Sequence, residues 1–377
     1  MSRTVAVVRC EHYDDVRAAL PRLLDLLGGL GGFIKPGQSV LVKPNLLSDH
    51  VPEEAVTTHP EVMRAVIHAV RAAGAKPWVA DCPANAAELA RVWQKTGMEA
   101  LCREEDVPLV NLEKAGSEKV EADGFTFTIA RPVLEADAII SVPKLKTHVL
   151  TRFTGAVKNM YGAIPGYQKT RLHGVYPRPD EFGALVLAAY RKVRPVLTIA
   201  DGVIGMDGNG PTGGRPVALG FLAASADAVA LDAAVCRRFE IRPETVPYLR
   251  EAARLGEGET VWDRIPRVGD EALLTGGPAL RLPTTVPLQS VPGWVLALLK
   301  PVLRHRPAFG GACVACGRCV TACPEGALTL QPPGRPVLDA VRCIACCCCQ
   351  EICPARAIEM QPSALIRAVR ALRGRGA

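Results

Sequence analysis

Aromatic residues make up only 5% of this 377-residue chain, so any core must be aliphatic; the 49% hydrophobic content, rich in Ala, Val and Leu, is enough to build one. No apolar run approaches the ~18 residues of a membrane-spanning helix. The opening Met-Ser-Arg-Thr-Val-Ala-Val-Val-Arg lacks the long apolar region of a secretory signal and reads as the start of a strand. A strong charge of one sign is missing too. Of the formal net charge of +7, Arg367, Arg370, Arg373 and Arg375 in the acid-free stretch 361–377 supply four, which leaves +3 for the rest. Charge therefore gives no reason to expect a nucleic-acid partner. The glycine-rich stretch from Gly208 to Arg215 fits neither a phosphate-binding P-loop nor a dinucleotide fingerprint and reads as a turn-dense connector, with backbone contact to a ligand as the alternative.

Cysteine is what the chain has in excess. Ten of its 14 cysteines fall between 313 and 353, in metal-ligand spacing and not in the pattern of a disulfide scaffold. That usage belongs to a reducing compartment, and a cytoplasmic location is expected. Cys313, Cys316, Cys319 and Cys323-Pro324 form one C-x2-C-x2-C-x3-C-P run; Cys343, Cys346, Cys349 and Cys353-Pro354 form a second. Thiolates at this spacing hold the corners of an iron–sulfur cube, so eight ligands suffice for two [4Fe–4S] clusters. Residues 313–330 align without gaps on 343–360, with apolar positions matched: Val314 with Ile344, Ala327 with Ala357, Leu328 with Ile358 and Leu330 with Met360. Thiolates also bind zinc, but a pseudo-twofold repeat with matched apolar positions is what two wrapped clusters need.

Residues 308–360 resemble the bacterial two-cluster ferredoxins. The resemblance implies that the fourth cysteine of each run crosses over. Cys313, Cys316, Cys319 and Cys353 would then hold one cluster, and Cys343, Cys346, Cys349 and Cys323 the other. Cys347 and Cys348 stand where the first run has Gly317 and Arg318, as spare thiols or alternative ligands.

Strand and helix signals alternate in the preceding sequence. Strands are expected at Thr4–Arg9, Ser39–Lys43, Lys76–Asp81, Asp137–Val142, Val196–Asp201 and Val217–Ala224. Helices are expected at Asp14–Leu27, from a Thr58 cap to near Gly74, and at Ala86–Gly97, Glu181–Arg191 and Ala226–Phe239, with a hairpin over Val120–Ala130 turning at Asp123-Gly124. This is an α/β layer with a mostly parallel sheet and flanking helices, followed by a small C-terminal α+β two-cluster ferredoxin domain. The expected division is 1–285 for the layer, 286–307 for a linker with a short helix Trp294–Lys300, 308–360 for the ferredoxin domain, and 361–377 for a basic amphipathic tail.

Ligands of open α/β sheets bind beyond the carboxyl ends of the strands. Polar residues close several expected strands here: Lys43 and Asn45, Asp81, Lys144, Lys146 and His148, and Asp201. The loop expected over Pro143–Gly166 adds Arg152, Lys158 and Asn159. Its cations suit a carboxylate or phosphate, or else they answer nearby acids such as Asp81 and Asp201. Lys43, Asn45, Asp81, Lys144, Lys146, Asn159 and Asp201 are the candidate substrate-binding residues. His148, as a proton donor that titrates near neutrality, and Lys158 are the candidate catalytic ones. Capping explains Asp227 near the start of its helix.

The segments Val40–Leu46, Ser141–His148, Thr154–Asn159 and Ala200–Gly202 resemble a family of iron–sulfur centre proteins, domain-of-unknown-function family 362, often fused to a two-cluster ferredoxin. A more distant likeness is to nickel-pincer lactate racemases, through the order His148, Lys158, Pro165-Gly166, His173; the Gly-Ala-Val before Lys158 departs from that pattern. The leading expectation is an oxidoreductase that passes electrons through two clusters to an anionic substrate or second cofactor at the strand ends, with a donor or acceptor protein as partner. In that case the ferredoxin domain should dock over the edge carrying Lys144, Lys146, His148 and Lys158. The alternatives are a non-catalytic electron-transfer subunit, or a non-redox lyase or racemase with structural clusters.

Overall fold

The computed structural model describes residues 3–84, 88–165, 168–176, 178–276, 280–283, 306–332 and 334–361. The helix expected at Trp294–Lys300, most of the expected linker and the tail beyond Gln361 lie outside the described residues.

The chain opens with β1 (Val5–Arg9), α1 (Val16–Asp25), β2 (Ser39–Pro44), α2 (Pro60–Ala72), β3 (Lys76–Val79), α3 (Leu89–Lys95) and α4 (Met98–Glu104). A hairpin of β4 (Ser117–Ala122) and β5 (Phe125–Ala130) follows, then α5 (Arg131–Glu135). Next come β6 (Ala138–Val142), β7 (Lys144–His148), β8 (Arg152–Thr154), α6 (Ala156–Asn159), α7 (Gln168–Val175) and α8 (Pro179–Lys192). Two long strands, β9 (Leu197–Asn209) and β10 (Gly213–Ser225), precede α9 (Ala228–Arg238), α10 (Pro247–Leu255) and β11 (Arg267–Gly269).

The sheet runs β11-β1-β10-β9-β6-β2-β3, with β7 on β9 and β8 on β7. Five of its pairings are parallel: β1–β11, β2–β3, β2–β6, β6–β9 and β7–β9. Only β10, which runs against both β1 and β9, and β8, which runs against β7, are antiparallel. Strand side chains alternate between two cores, as period-2 geometry requires of a sheet covered on both faces. Val40 and Val42 of β2 face the core shared with Leu20, Val62 and Val66, while Leu41 faces the core shared with Phe182, Leu185 and Phe239.

The structure departs from the sequence reading in three places. The residues expected as a loop after Val142 form β7, β8 and α6. The chain steps off β6 at Pro143 and pairs again with β9, through Lys144↔Asp201 and Lys146↔Met206. The glycine-rich connector is the tip of the β9–β10 hairpin, whose arms run on past Asp201 and before Val217. The cap of α2 is His59, whose Nδ1 accepts the Glu61 N–H at 3.2 Å. Thr58 instead ties two strand ends together: its Oγ accepts from Asn45 N–H at 2.8 Å and donates to Val142 O at 2.6 Å.

The C-terminal part folds as a pseudo-symmetric pair. Strand β12 (Arg306–Phe309) pairs with β15 (Ile358–Gln361), and β13 (Leu328–Gln331) with β14 (Arg335–Leu338). Between them lie two single-turn helices, α11 (Arg318–Thr321) and α12 (Cys348–Glu351). The backbone repeats with the sequence: left-handed φ values recur at Ala315 and Ala345, Gly317 and Cys347, and Gly326 and Arg356.

Candidate functional site

Two cavities in the C-terminal part are walled by thiols. Cys313, Cys316, Cys319 and Cys353 line one; Cys323, Cys343, Cys346 and Cys349, together with Cys347, line the other. Each cavity thus combines three cysteines of one run with the fourth of the other run, the crossed arrangement of two-cluster ferredoxins. Their dry shells include Ile358 for the first and Leu328, Leu338 and Met360 for the second. The backbone also repeats its attention to sulfur: Ala327 N–H donates to Cys323 Sγ at 3.1 Å and Ala357 N–H to Cys353 Sγ at 3.3 Å. The donor set and its enclosure fit two [4Fe–4S] clusters. Cys316 is exposed, whereas Cys346 and Cys349 are buried.

The module sits over the strand-end edge. Arg318 forms ion pairs with Asp49, at 2.8 Å, and with Glu88; Arg356 pairs with Glu54 at 2.9 Å. Cys347 and Met360 pack on Val149, and the Gln350 carbonyl accepts from Thr212 Oγ at 3.3 Å. Glu351 reaches the centre of the edge, where its Oε1 lies 3.3 Å from His148 Nε2.

At that edge the cations separate into two classes. Lys43 pairs with Asp81 at 2.5 Å and Lys144 with Asp201 at 2.6 Å, both pairs buried. Asp201 also accepts the His59 N–H at 3.0 Å, and Lys144 donates to Tyr13 Oη at 2.8 Å and Ile204 O at 3.0 Å. These four residues satisfy one another. Lys146 and Lys158 are different: among the described residues neither has a carboxylate within ion-pair distance, and the only hydrogen-bond partner of Lys146 Nζ is Val56 O at 2.5 Å. Burial lowers the pKa of both; like-charged neighbours lower it further, Lys158 and Lys144 for Lys146 and Lys169 for Lys158, against the opposing pull of Glu351.

Lys146 and Lys158 open on a cavity of about 70 Å³ shared by both parts of the molecule. Asn45, Asp81, Tyr161, Lys169 and His173 line it from the layer, and Ala322, Cys348, Glu351 and Ile352 from the module. Buried polar atoms without a hydrogen-bond partner among the described residues collect on its walls: Asn45 Oδ1, Thr154 Oγ, Asn159 Oδ1, His173 Nδ1 and Glu351 Oε1. Orphaned polar atoms at this density are costly unless something polar enters. Asn159 is held by its amide nitrogen, which donates to Ser141 Oγ at 2.9 Å and Lys43 O at 3.3 Å.

Two small residues permit this packing. A Cβ on Gly162 would collide with Asp81 Oδ1 and Lys43 Nζ. A Cβ on Gly155 would collide with Asp232, whose carboxylate accepts the Ala156 and Val157 N–H groups at 2.6 and 3.0 Å and so caps α6, the turn that carries Lys158. Asp227 caps its own helix by accepting from Val229 and Ala230, both at 3.0 Å.

His148 Nδ1 accepts the N–H groups of Leu150 at 3.1 Å and Thr151 at 3.2 Å, so the proton of the neutral ring is on Nε2, toward Glu351. Burial pushes His148 down to about 4, with Lys158 adding to the fall and Glu351 opposing it; burial does the same to His173. The expected titration near neutrality is therefore lost, and His148 serves as a neutral donor. Burial would raise Glu351, but His148, His173 and Lys158 overcome it and leave the carboxyl at about 2. A pH dependence follows. Both imidazoles protonate near 6.5 when unfolded and near 4 when folded, so the unfolded state binds more protons in between. Stability is expected to fall as pH drops from about 6.5 to about 4, as urea titrations at fixed ionic strength would read; a flat profile across that window would show that the imidazoles charge freely.

The sequence pattern missed the module's contribution to this cavity. The signal lay in the broken symmetry of the repeat, because Arg318, Val320, Thr321 and Ala322 become Cys348, Gln350, Glu351 and Ile352. Lys169 and Tyr161 also went unflagged; Lys169 donates to Pro83 O at 3.0 Å and to Cys82 O, and Tyr161 Oη donates to Lys169 O at 3.1 Å.

Comparison with known proteins gives two family matches. Residues 40–237 match the domain of unknown function DUF362, and residues 312–361 match a 4Fe-4S dicluster domain. The thylakoid-associated protein sll1697 of Synechocystis sp. is 35% identical over 264 residues, covering 69% of this chain and 82% of that protein. The chain belongs to the DUF362 family. Its DUF362 region is joined to a ferredoxin-type domain that carries two [4Fe–4S] clusters. Among solved structures, the lactate racemase apoprotein from Thermoanaerobacterium thermosaccharolyticum is similar with a TM-score of 0.39 at 14% identity, over 60% of this chain and 55% of that one. No helix among the described residues is long and apolar enough to cross a membrane.

Proposed function

We propose that this DUF362 protein is an oxidoreductase whose two clusters serve an anionic substrate or second cofactor bound in the cavity between the layer and the ferredoxin module. The observation that carries this reading is the pair Lys146 and Lys158, two cations without a carboxylate partner among the described residues, facing one cavity with Glu351 and Cys348 of the module. The clusters supply one-electron transfer when bound. Cys313, Cys316, Cys319 and Cys353 would hold one and Cys343, Cys346, Cys349 and Cys323 the other. The exposed thiol Cys316 and the neighbouring Val314, 66% exposed, mark the side on which a donor or acceptor protein would approach. The buried thiol Cys349 lies within the segment Cys348–Ile352 that lines the cavity, and Cys346 lies just before it. Lys146 and Lys158 would bind the anion, His148 would donate a hydrogen bond through Nε2–H, and Ile352 with Ala322 would exclude water.

Anaerobic purification followed by mass spectrometry of the copurifying small molecule tests this reading. Lys158→Ala should lose that molecule while iron content and reduction by dithionite persist. If the clusters serve only an outside protein, the substitution changes neither bound molecules nor electron delivery. A second reading, a non-redox lyase or racemase with structural clusters, is favoured by one observation: Lys158 and His173 face the same cavity, and His148 points at its Glu351 wall. Activity that survives with the clusters poised oxidised would select it. The cluster spacing of the cysteines favours a reducing compartment, and we place the protein in the cytoplasm; peripheral attachment there would accord with the thylakoid association of the Synechocystis relative.

A further inference from the structure

We propose that the shared cavity takes a small carboxylate, and that Glu351 of the ferredoxin module occupies the carboxylate position until the ligand displaces it. This rests on the reading of the cavity as an anion site. The first support is the quality of Glu351's contacts. The structural ion pairs of this edge are close, Lys43–Asp81 at 2.5 Å and Lys144–Asp201 at 2.6 Å. Glu351 Oε1 lies 3.3 Å from His148 Nε2, a much longer contact, and neither atom has a hydrogen-bond partner among the described residues. A buried carboxylate and a buried imidazole donor that face each other without bonding are both available to a better partner.

The second support is the charge inventory. Glu351 brings one negative charge to a wall that holds Lys146 and Lys158, and neither lysine has a carboxylate at ion-pair distance among the described residues. A free carboxylate can approach both cations, whereas Glu351 is held back by the backbone of α12. The third support is the repeat. Position 351 corresponds to Thr321, so the acid belongs only to the run that enters the basic cavity. The other run places Arg318 against Asp49 and Glu88. Arg318 and Arg356 thus key the module to acids of the layer, whereas Glu351 is the module's acid that faces the cavity of Lys146 and Lys158. That cavity, about 70 Å³, is several times the ~10–15 Å³ that one water needs, which suits an acid of a few heavy atoms. Because Glu351 and Cys349 share α12, displacement of the carboxylate would be felt at a thiol of the second cluster cavity.

The test is calorimetric titration of sodium oxalate into the anaerobic holoprotein, with iron content measured to show that every variant is loaded and folded. The wild-type protein should bind oxalate. Glu351→Gln should bind it at least about fivefold tighter, the lower end of ordinary coupling between two sites. Glu351→Asp, which keeps the charge but withdraws it by a methylene, should also bind more tightly; a purely electrostatic effect would leave it unchanged. Lys158→Ala should weaken binding about tenfold or more, the loss of a charge-assisted contact. If Lys158→Ala weakens binding but neither Glu351 variant strengthens it, displacement is overturned and the anion site stands. If no variant binds oxalate, both readings fail together.

Discussion

Asp201→Ala is expected to cost about 3–5 kcal/mol of folding stability, because it strands the Lys144 ammonium in a site where both partners are 0% exposed. The loss does not stop at the pair. Asp201 also accepts the His59 N–H that opens α2, and His59 stacks on Tyr13 with ring centroids 3.5 Å apart. The double variant Lys144→Met with Asp201→Leu should recover most of the deficit, since well-packed apolar replacements of a buried pair are often neutral. Urea unfolding of the two single variants and the double variant gives the coupling directly. A deficit under about 1 kcal/mol for Asp201→Ala would mean that the pair is hydrated and that Asp201 is free to bind a ligand. The expected result assigns Lys144 and Asp201 to the frame of the site and leaves Lys146 and Lys158 to its contents.

That division explains what the sequence could and could not disclose. The four polar strand ends were legible because parallel strands bring their carboxyl ends to one edge. Which cations would be neutralised there was not legible, since it depends on register. Lys144 lies opposite Asp201, whereas Lys146 lies opposite Met206. A two-residue spacing separates a structural lysine from a candidate ligand lysine, and no local pattern distinguishes them. The alternation Lys144, Lys146, His148 does carry period-2 information, because it puts all three on one face of a strand. The expectation of a loop there rests on its length and on the glycines Gly155, Gly162 and Gly166 that punctuate it. A run of buried cations violates the usual strand composition, and tertiary pairing with β9 overrides it.

Helix caps show the same limit on a smaller scale. Thr58 has better capping chemistry than His59, yet its hydroxyl is committed to Asn45 and Val142, two strand ends that only the folded sheet brings together. Asp232 caps not its own helix but α6, 76 residues away in sequence. By contrast the two four-cysteine runs and the pair of clusters they imply were legible, because the spacing of cluster ligands is local, whereas the crossing of the fourth ligand rests on the resemblance to two-cluster ferredoxins. What the repeat concealed was its asymmetry: the residues of the second run that break the pattern are those that face the DUF362 layer.

The crossed ligand sets make the largest prediction for iron. With two clusters the protein should hold about eight irons, and loss of one cluster should leave about four. Cys353→Ala alone cannot tell crossed from uncrossed ligation, since either arrangement loses one cluster. Pairs of substitutions can. If Cys353 shares a cavity with Cys313, as the lining of the first cavity indicates, then Cys313→Ala with Cys353→Ala removes a single cluster and leaves about four irons. Cys343→Ala with Cys353→Ala should then remove both. Uncrossed ligation reverses the two outcomes, so anaerobic iron and sulfide analysis of the two double variants decides the matter. Cys347→Gly and Cys348→Ala are the controls. Cys347 lines the second cavity but occupies a left-handed backbone position, φ 67°, where the first run has Gly317. Glycine accepts that conformation more readily, so Cys347→Gly should keep all of the iron. Cys348 faces the cavity of Lys158 and Glu351 and lines neither thiol-walled one, so Cys348→Ala should keep the iron as well. Arginine, its counterpart in the first run, would be the wrong replacement there, because it would drive a third cation between Lys146 and Lys158. A fall to about four irons in Cys347→Gly would instead make Cys347 a ligand of the second cluster in place of one of the four assigned to it.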